Sequence, residues 1–157
     1  MQLAFYKAAV GTPWSKAIAW WTKGPYSHVE IVFSRKHSTV YVQEHDWPGQ
    51  PCFSSAENDG GTRFKYLDIN PAQWDTIPVP GDEAPAWLAA EQLLGAAYDW
   101  RGILDFVFPW EKENSSKFFC SEVCIKILKQ QGLLTKLTNP QTSPNALAKH
   151  IKEHGWS

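Results

Sequence analysis

The chain has 157 residues, enough for one domain with a real core and too few for two comfortable ones. Its formal net charge is −1, with acids and bases mixed along the whole length, which argues against a broad electrostatic surface for nucleic acid or anionic membrane. Three cysteines make no even-numbered disulfide framework, and no apolar run approaches a membrane span. The N-terminus lacks the basic-then-apolar order of a signal peptide, so folding in a reducing cytoplasm is expected, compatible with later release by lysis or packaging in a larger assembly. Nine Trp, five Tyr and eight Phe supply a large core, with some aromatics left to line a groove.

Residues 3–10 read as a strand or extended lead-in. Gly11-Thr12-Pro13 supplies a turn, an N-cap hydroxyl and a first-turn proline for a helix over 14–23, stopped by Gly24-Pro25. Residues 27–34 form the clearest strand, with Val29, Ile31 and Phe33 on one face and His28, Glu30 and Val32 on the other. Arg35-Lys36-His37-Ser38 reads as a hairpin turn and 39–44 as the returning strand. Residues 46–61 read as a loop with a short strand at 52–54, followed by a strand over 62–69 and another within 74–79. A helix is expected over 84–97, a turn at 98–102 and an apolar segment at 103–108. Residues 120–131 form a helix closed by Gly132, and Ser143-Pro144 opens a last one over 145–154, closed by Gly155. The order predicts a single α+β domain over 1–157, one sheet with flanking helices.

Two segments carry the chemistry. Cys120 stands where Phe118-Phe119 gives way to a helical pattern, and backbone N–H groups at a helix start favour a thiolate over a thiol. Cysteine at such a position is most often a small buried hydrophobe. Against that, Ser115-Ser116-Lys117 is polar, Ser121 and Glu122 fill the first turn, and Cys124 one turn later reads as the buried partner of an exposed Cys120. His28 is either a satisfied edge-strand histidine or, sharing a face with Glu30, one side of something wet. A thiol and an imidazole are the parts of a cysteine nucleophile, and a third group should orient the ring. A hairpin turning at Lys36-His37 sets Glu44 or His45 opposite His28. Glu44 is the first choice, then His45, Glu30 and Ser54. A zinc site from Cys120, Cys124 and a histidine is a poor match to ligand spacing, so no metal or cofactor is expected.

The strand Tyr26-Ser27-His28-Val29-Glu30-Ile31-Val32, the turn Tyr98-Asp99-Trp100 and the helix start Phe119-Cys120-Ser121-Glu122 together resemble the permuted NlpC/P60 papain-like hydrolases. That group includes the YiiX/YebB-like enzymes and, more distantly, the lecithin:retinol acyltransferase-like proteins. In it the histidine strand precedes the cysteine helix, as here. The resemblance implies a circularly permuted papain-like fold, a small antiparallel sheet or half-barrel packed with helices. It implies Cys120 as nucleophile, His28 as base, the Cys120 N–H in the oxyanion hole, and Tyr26, Tyr98 and Trp100 along the substrate groove. The family's third polar residue falls here on Val40, which leaves Glu44 and Ser54 as the alignable choices. The expected function is hydrolysis of a peptide or isopeptide amide, cell-wall peptide being the family's commonest substrate, in a bacterial or phage setting. Two alternatives are a non-catalytic binding or structural module of the same fold, such as one carried in a phage particle, and an acyltransferase or thioesterase acting on lipid or acyl substrates. Oligomeric state is left open.

Overall fold

The computed structural model describes residues 1–37, 48–56, 59–95, 119–138 and 142–157. Within them lie five strands: β1 (Gln2–Lys7), β2 (Tyr26–Val32), β3 (Gln50–Ala56), β4 (Gly61–Leu67) and β5 (Trp74–Pro78). Four α-helices accompany them: α1 (Pro13–Trp21), α2 (Glu83–Leu93), α3 (Phe119–Gln130) and α4 (Pro144–His154). The strands form one antiparallel sheet in the order β4-β3-β2-β1-β5, so the molecule is α+β.

Helix starts follow their capping chemistry. The Thr12 hydroxyl accepts the Ser15 N–H, Asp82 accepts that of Ala84 and Ser143 that of Ala146, and proline fills the first position of α1 and α4. Gly155 closes α4 at φ 65°, the left-handed region that favours glycine. No described helix is long and apolar enough to cross a membrane.

Alternation along β2 divides two cores. Val29, Ile31 and Phe33 enter the main one with Leu3, Phe5 and Phe53, under the buried faces of α2 and α3. Trp87 of α2 meets Phe33 at 5.1 Å and Phe64 at 4.4 Å between ring centres. On the other face Val32 joins Ala4, Cys52 and Trp74.

The partner of β2 beyond the turn differs from the expected one. At Ile31 and Val32 it is paired with Phe53 and Cys52 of β3, and β1 runs along its other edge. Residues 50–56, read as mostly loop because Pro51 and two serines break the β pattern, are a full strand whose middle is buried. The expected strand over 39–44 lies outside the described residues, as do the turn at 98–102 and the segment at 103–108. Helix α2 ends at Leu93, short of the expected 97.

Candidate active site

His28 owes its setting to an irregularity in β2. The β1–β2 register shifts after Tyr6↔His28, so that Lys7 faces Tyr26 and Ser27 is the extra residue. Tyr26 and Val29 consequently both belong to the main core, although three residues apart. On the β3 side, among the described residues, the ladder pairs cover Ile31 and Val32. At Val29 the carbonyl accepts the Ser54 hydroxyl, at 2.7 Å. A side chain of β3 thus meets the N-terminal half of β2 on that flank.

One carboxylate contact defines the ring's orientation. His28 Nε2 lies 2.7 Å from Glu30 Oε1. Arg63 of β4 then donates from both Nη atoms to Glu30, at 2.8 Å to Oε2 and 2.7 Å to Oε1. Arg63 Nε reaches Asp59 at 2.8 Å, and Lys65 reaches the other Asp59 oxygen at 3.1 Å. With Nε2 committed to Glu30, Nδ1 is the ring nitrogen left for Cys120, which is close enough to raise the His28 pKa. Imidazole, carboxylate and guanidinium therefore form one connected line across β2 and β4, with Cys120 of α3 near the imidazole.

The electrostatics follow that line. Burial alone would lower the His28 pKa. The Cys120 negative charge and hydrogen bond, followed by those of Glu30, outweigh it and raise the value to about 10. For Glu30 burial favours the neutral acid, yet hydrogen bonds from His28 and Arg63 hold its pKa below the usual range. The other two thiols are pushed the opposite way. Burial, with the charges of Cys120 and Glu30, drives Cys124 up, and burial with Glu30 drives Cys52 up. Glu122, in the first turn of α3, is pushed up to about 7 by burial.

Three expectations need correction or relocation. Cys120 was expected to be the exposed cysteine of its helix, but it is 5% exposed, because the first turn of α3 packs into the main core. Ser121, expected to face water, is fully buried and donates its hydroxyl to the Thr142 carbonyl. His28 is more open, its side chain 24% exposed. Tyr26 was expected along the substrate groove. Its ring packs 5.2 Å from Phe5 and its hydroxyl donates to Asp75 Oδ2 at 2.9 Å; burial and Asp75 push its pKa up to about 12. The open groove it does line, between the end of α1 and α4, contains neither His28 nor Cys120. Glu44, His45, Tyr98 and Trp100 lie outside the described residues. Their selection by hairpin register also loses its premise for Glu44 and His45, since β2 pairs with 50–56 at Ile31 and Val32. Ser54 is bonded to backbone, and Glu30, the third-ranked choice, holds the imidazole.

Sequence reasoning missed Arg63 and Asp59. The signal available was alternation in Arg63-Phe64-Lys65-Tyr66, which puts two cations on one face of β4. Among the described residues no cluster of His, Cys, Asp and Glu could hold a metal ion. Compared with family models, with curated proteins and with solved structures, the chain matches none of them.

Proposed function

We propose that the protein is a cysteine hydrolase of the permuted NlpC/P60 papain-like type, cleaving a peptide or isopeptide amide such as a cell-wall peptide. The observation that carries this reading is the His28 imidazole held at 2.7 Å by the Arg63-anchored Glu30 carboxylate, with Cys120 close enough to raise the ring's pKa. A histidine bonded to a thiol on one side and a carboxylate on the other is the arrangement that nucleophilic catalysis by sulfur requires.

In the proposed reaction the Cys120 thiolate attacks the amide carbonyl carbon and a C–S bond forms. The developing oxyanion meets the Cys120 backbone N–H, at the N-terminal end of α3 as described, where the helix dipole favours negative charge. The C–N bond then breaks as the His28 imidazolium gives its proton to the leaving amine, producing an acyl-enzyme thioester. His28 next takes a proton from water, the resulting hydroxide attacks the thioester, and the acid leaves with the thiolate and imidazolium restored. Glu30 keeps the ring from turning and stabilises its charged form.

The near-complete burial of Cys120 favours a second reading, a binding module that has kept the fold without the catalysis. One experiment separates the two. The purified protein is incubated in parallel with peptidoglycan fragments, simple peptides and acyl lipids, and intact mass is followed. An acyl adduct on Cys120, absent from Cys120→Ala, supports the hydrolase and names its substrate class. Bound ligand without any adduct or product supports the module.

A further inference from the structure

The mechanism uses a histidine two residues beyond a backbone position that is held from far away in sequence. Asn145, near the start of α4, is 8% exposed and applies its whole amide to the lead-in of β2. Its Oδ1 accepts the Tyr26 N–H at 2.8 Å, and its Nδ2 donates to the Tyr26 carbonyl at 2.7 Å and to Thr22 Oγ1 at 2.6 Å. Thr22 in turn donates to the Ile18 carbonyl at 2.8 Å, which leaves its oxygen a suitable acceptor for Nδ2. The amide thus satisfies both backbone groups of one residue, a job that a neighbouring strand would do in a regular sheet. It does so beside Ser27, where the register shifts and ordinary pairing does not fix the chain.

Gly24 belongs to the same device. A Cβ there would lie 2.4 Å from Asn145 Cγ and Oδ1 and 2.8 Å from its Cβ, so a side chain at 24 would drive the amide off Tyr26.

We infer that Asn145 is a positioning residue for His28: its amide fixes the backbone of Tyr26 on the far side of the β2 bulge and so sets the imidazole toward Cys120. The inference rests on the hydrolase reading for its catalytic meaning and on geometry for its structural content. An amide is suited to this because it accepts from N–H and donates to C=O at once, which an aliphatic or a carboxylate of similar size does not.

The test compares Asn145→Ala and Gly24→Ala with Lys149→Ala, an exposed substitution on the same helix that serves as control. Asn145→Asp is the milder variant, retaining the acceptor for the Tyr26 N–H and losing both donations. Three readings are taken on each: the thermal midpoint, the ring signals of His28 by NMR, and the rate of Cys120 alkylation by iodoacetamide at neutral pH. The inference expects displaced His28 signals in both Asn145 variants and in Gly24→Ala, and Cys120 alkylation slowed roughly tenfold or more, as misplacement of a reacting group does. Lys149→Ala should leave both unchanged. Variants that fold, keep the wild-type His28 signals and react within about twofold of wild type would overturn it, whatever their thermal midpoint. The hydrolase reading fails separately, if Cys120 alkylation in the otherwise unaltered protein is indifferent to His28→Ala.

Discussion

Arg63 grips both carboxylate oxygens of Glu30, at 2.8 and 2.7 Å, from two strands away in the sheet. Glu30 is fully buried and Arg63 nearly so, with a side chain 15% exposed. Removing one partner of such a pair leaves a desolvated charge behind. Glu30→Gln and Arg63→Met should each cost about 3 kcal/mol of stability, with the double variant costing clearly less than the sum. Denaturant unfolding of the four proteins measures the coupling. Additive losses would show that the guanidinium and carboxylate act independently.

The same carboxylate, together with Cys120, keeps His28 charged. With Cys120 and Glu30 outweighing burial, the ring should stay protonated through neutral pH and titrate at about 10. An NMR titration of the ring signals, assigned with His28→Ala, reads this directly. Removing the sulfur in Cys120→Ala takes away the stronger of the two raising influences and should lower the midpoint, with Glu30→Gln lowering it by less. A wild-type midpoint near the ordinary histidine value would contradict the network.

Acid should weaken the fold through Glu30 and Asp59. Both carboxyls are held below their ordinary values of 4.5 and 3.8. On acidification the unfolded chain therefore takes up protons first, and stability falls as pH drops through and below those values. Thermal midpoints measured from about pH 6 down to about pH 3 should show this loss, and the slope should be shallower in Glu30→Gln, which lacks one of the two groups.

Tyr26→Phe should separate structure from chemistry. The variant loses the 2.9 Å hydrogen bond to Asp75 and about 1 kcal/mol of stability. Cys120 alkylation should remain within about twofold of wild type, because the phenol faces Asp75 and not the sulfur. A large drop in reactivity would return Tyr26 to the substrate groove.

What could be read from residues alone was local. Thr12-Pro13 and Ser143-Pro144 announced their helices because capping depends on neighbours in sequence, and Gly155 marked an end because its φ is positive. The alternation around Val29 and Ile31 identified β2 for the same reason. Failures arose where long-range pairing decides. Ser54 and Ser55 look like loop residues, yet the sheet buries both, and the first spends its hydroxyl on the Val29 carbonyl. The polar residues Ser121 and Glu122 suggested an exposed first turn for α3, but Thr142 supplies an acceptor that lets Ser121 be buried. The hairpin register pointed to Glu44, which lies outside the described residues, while β2 carries its own carboxylate at Glu30. The i,i+2 relation was visible, but its anchoring by Arg63 required the strand order. Asn145 gave no signal, since its role exists only once α4 is laid beside Tyr26.

The central claim is that one thiol of three is a nucleophile, and it is so because of His28. Brief treatment with iodoacetamide at neutral pH, followed by peptide mapping, tests it most directly. The account predicts a single alkylated residue, Cys120, with Cys52 and Cys124 protected, labelling abolished in Cys120→Ala, unchanged in Cys124→Ala and strongly slowed in His28→Ala. Equal labelling of Cys120 and Cys124, or labelling of Cys120 that ignores the loss of His28, would contradict it.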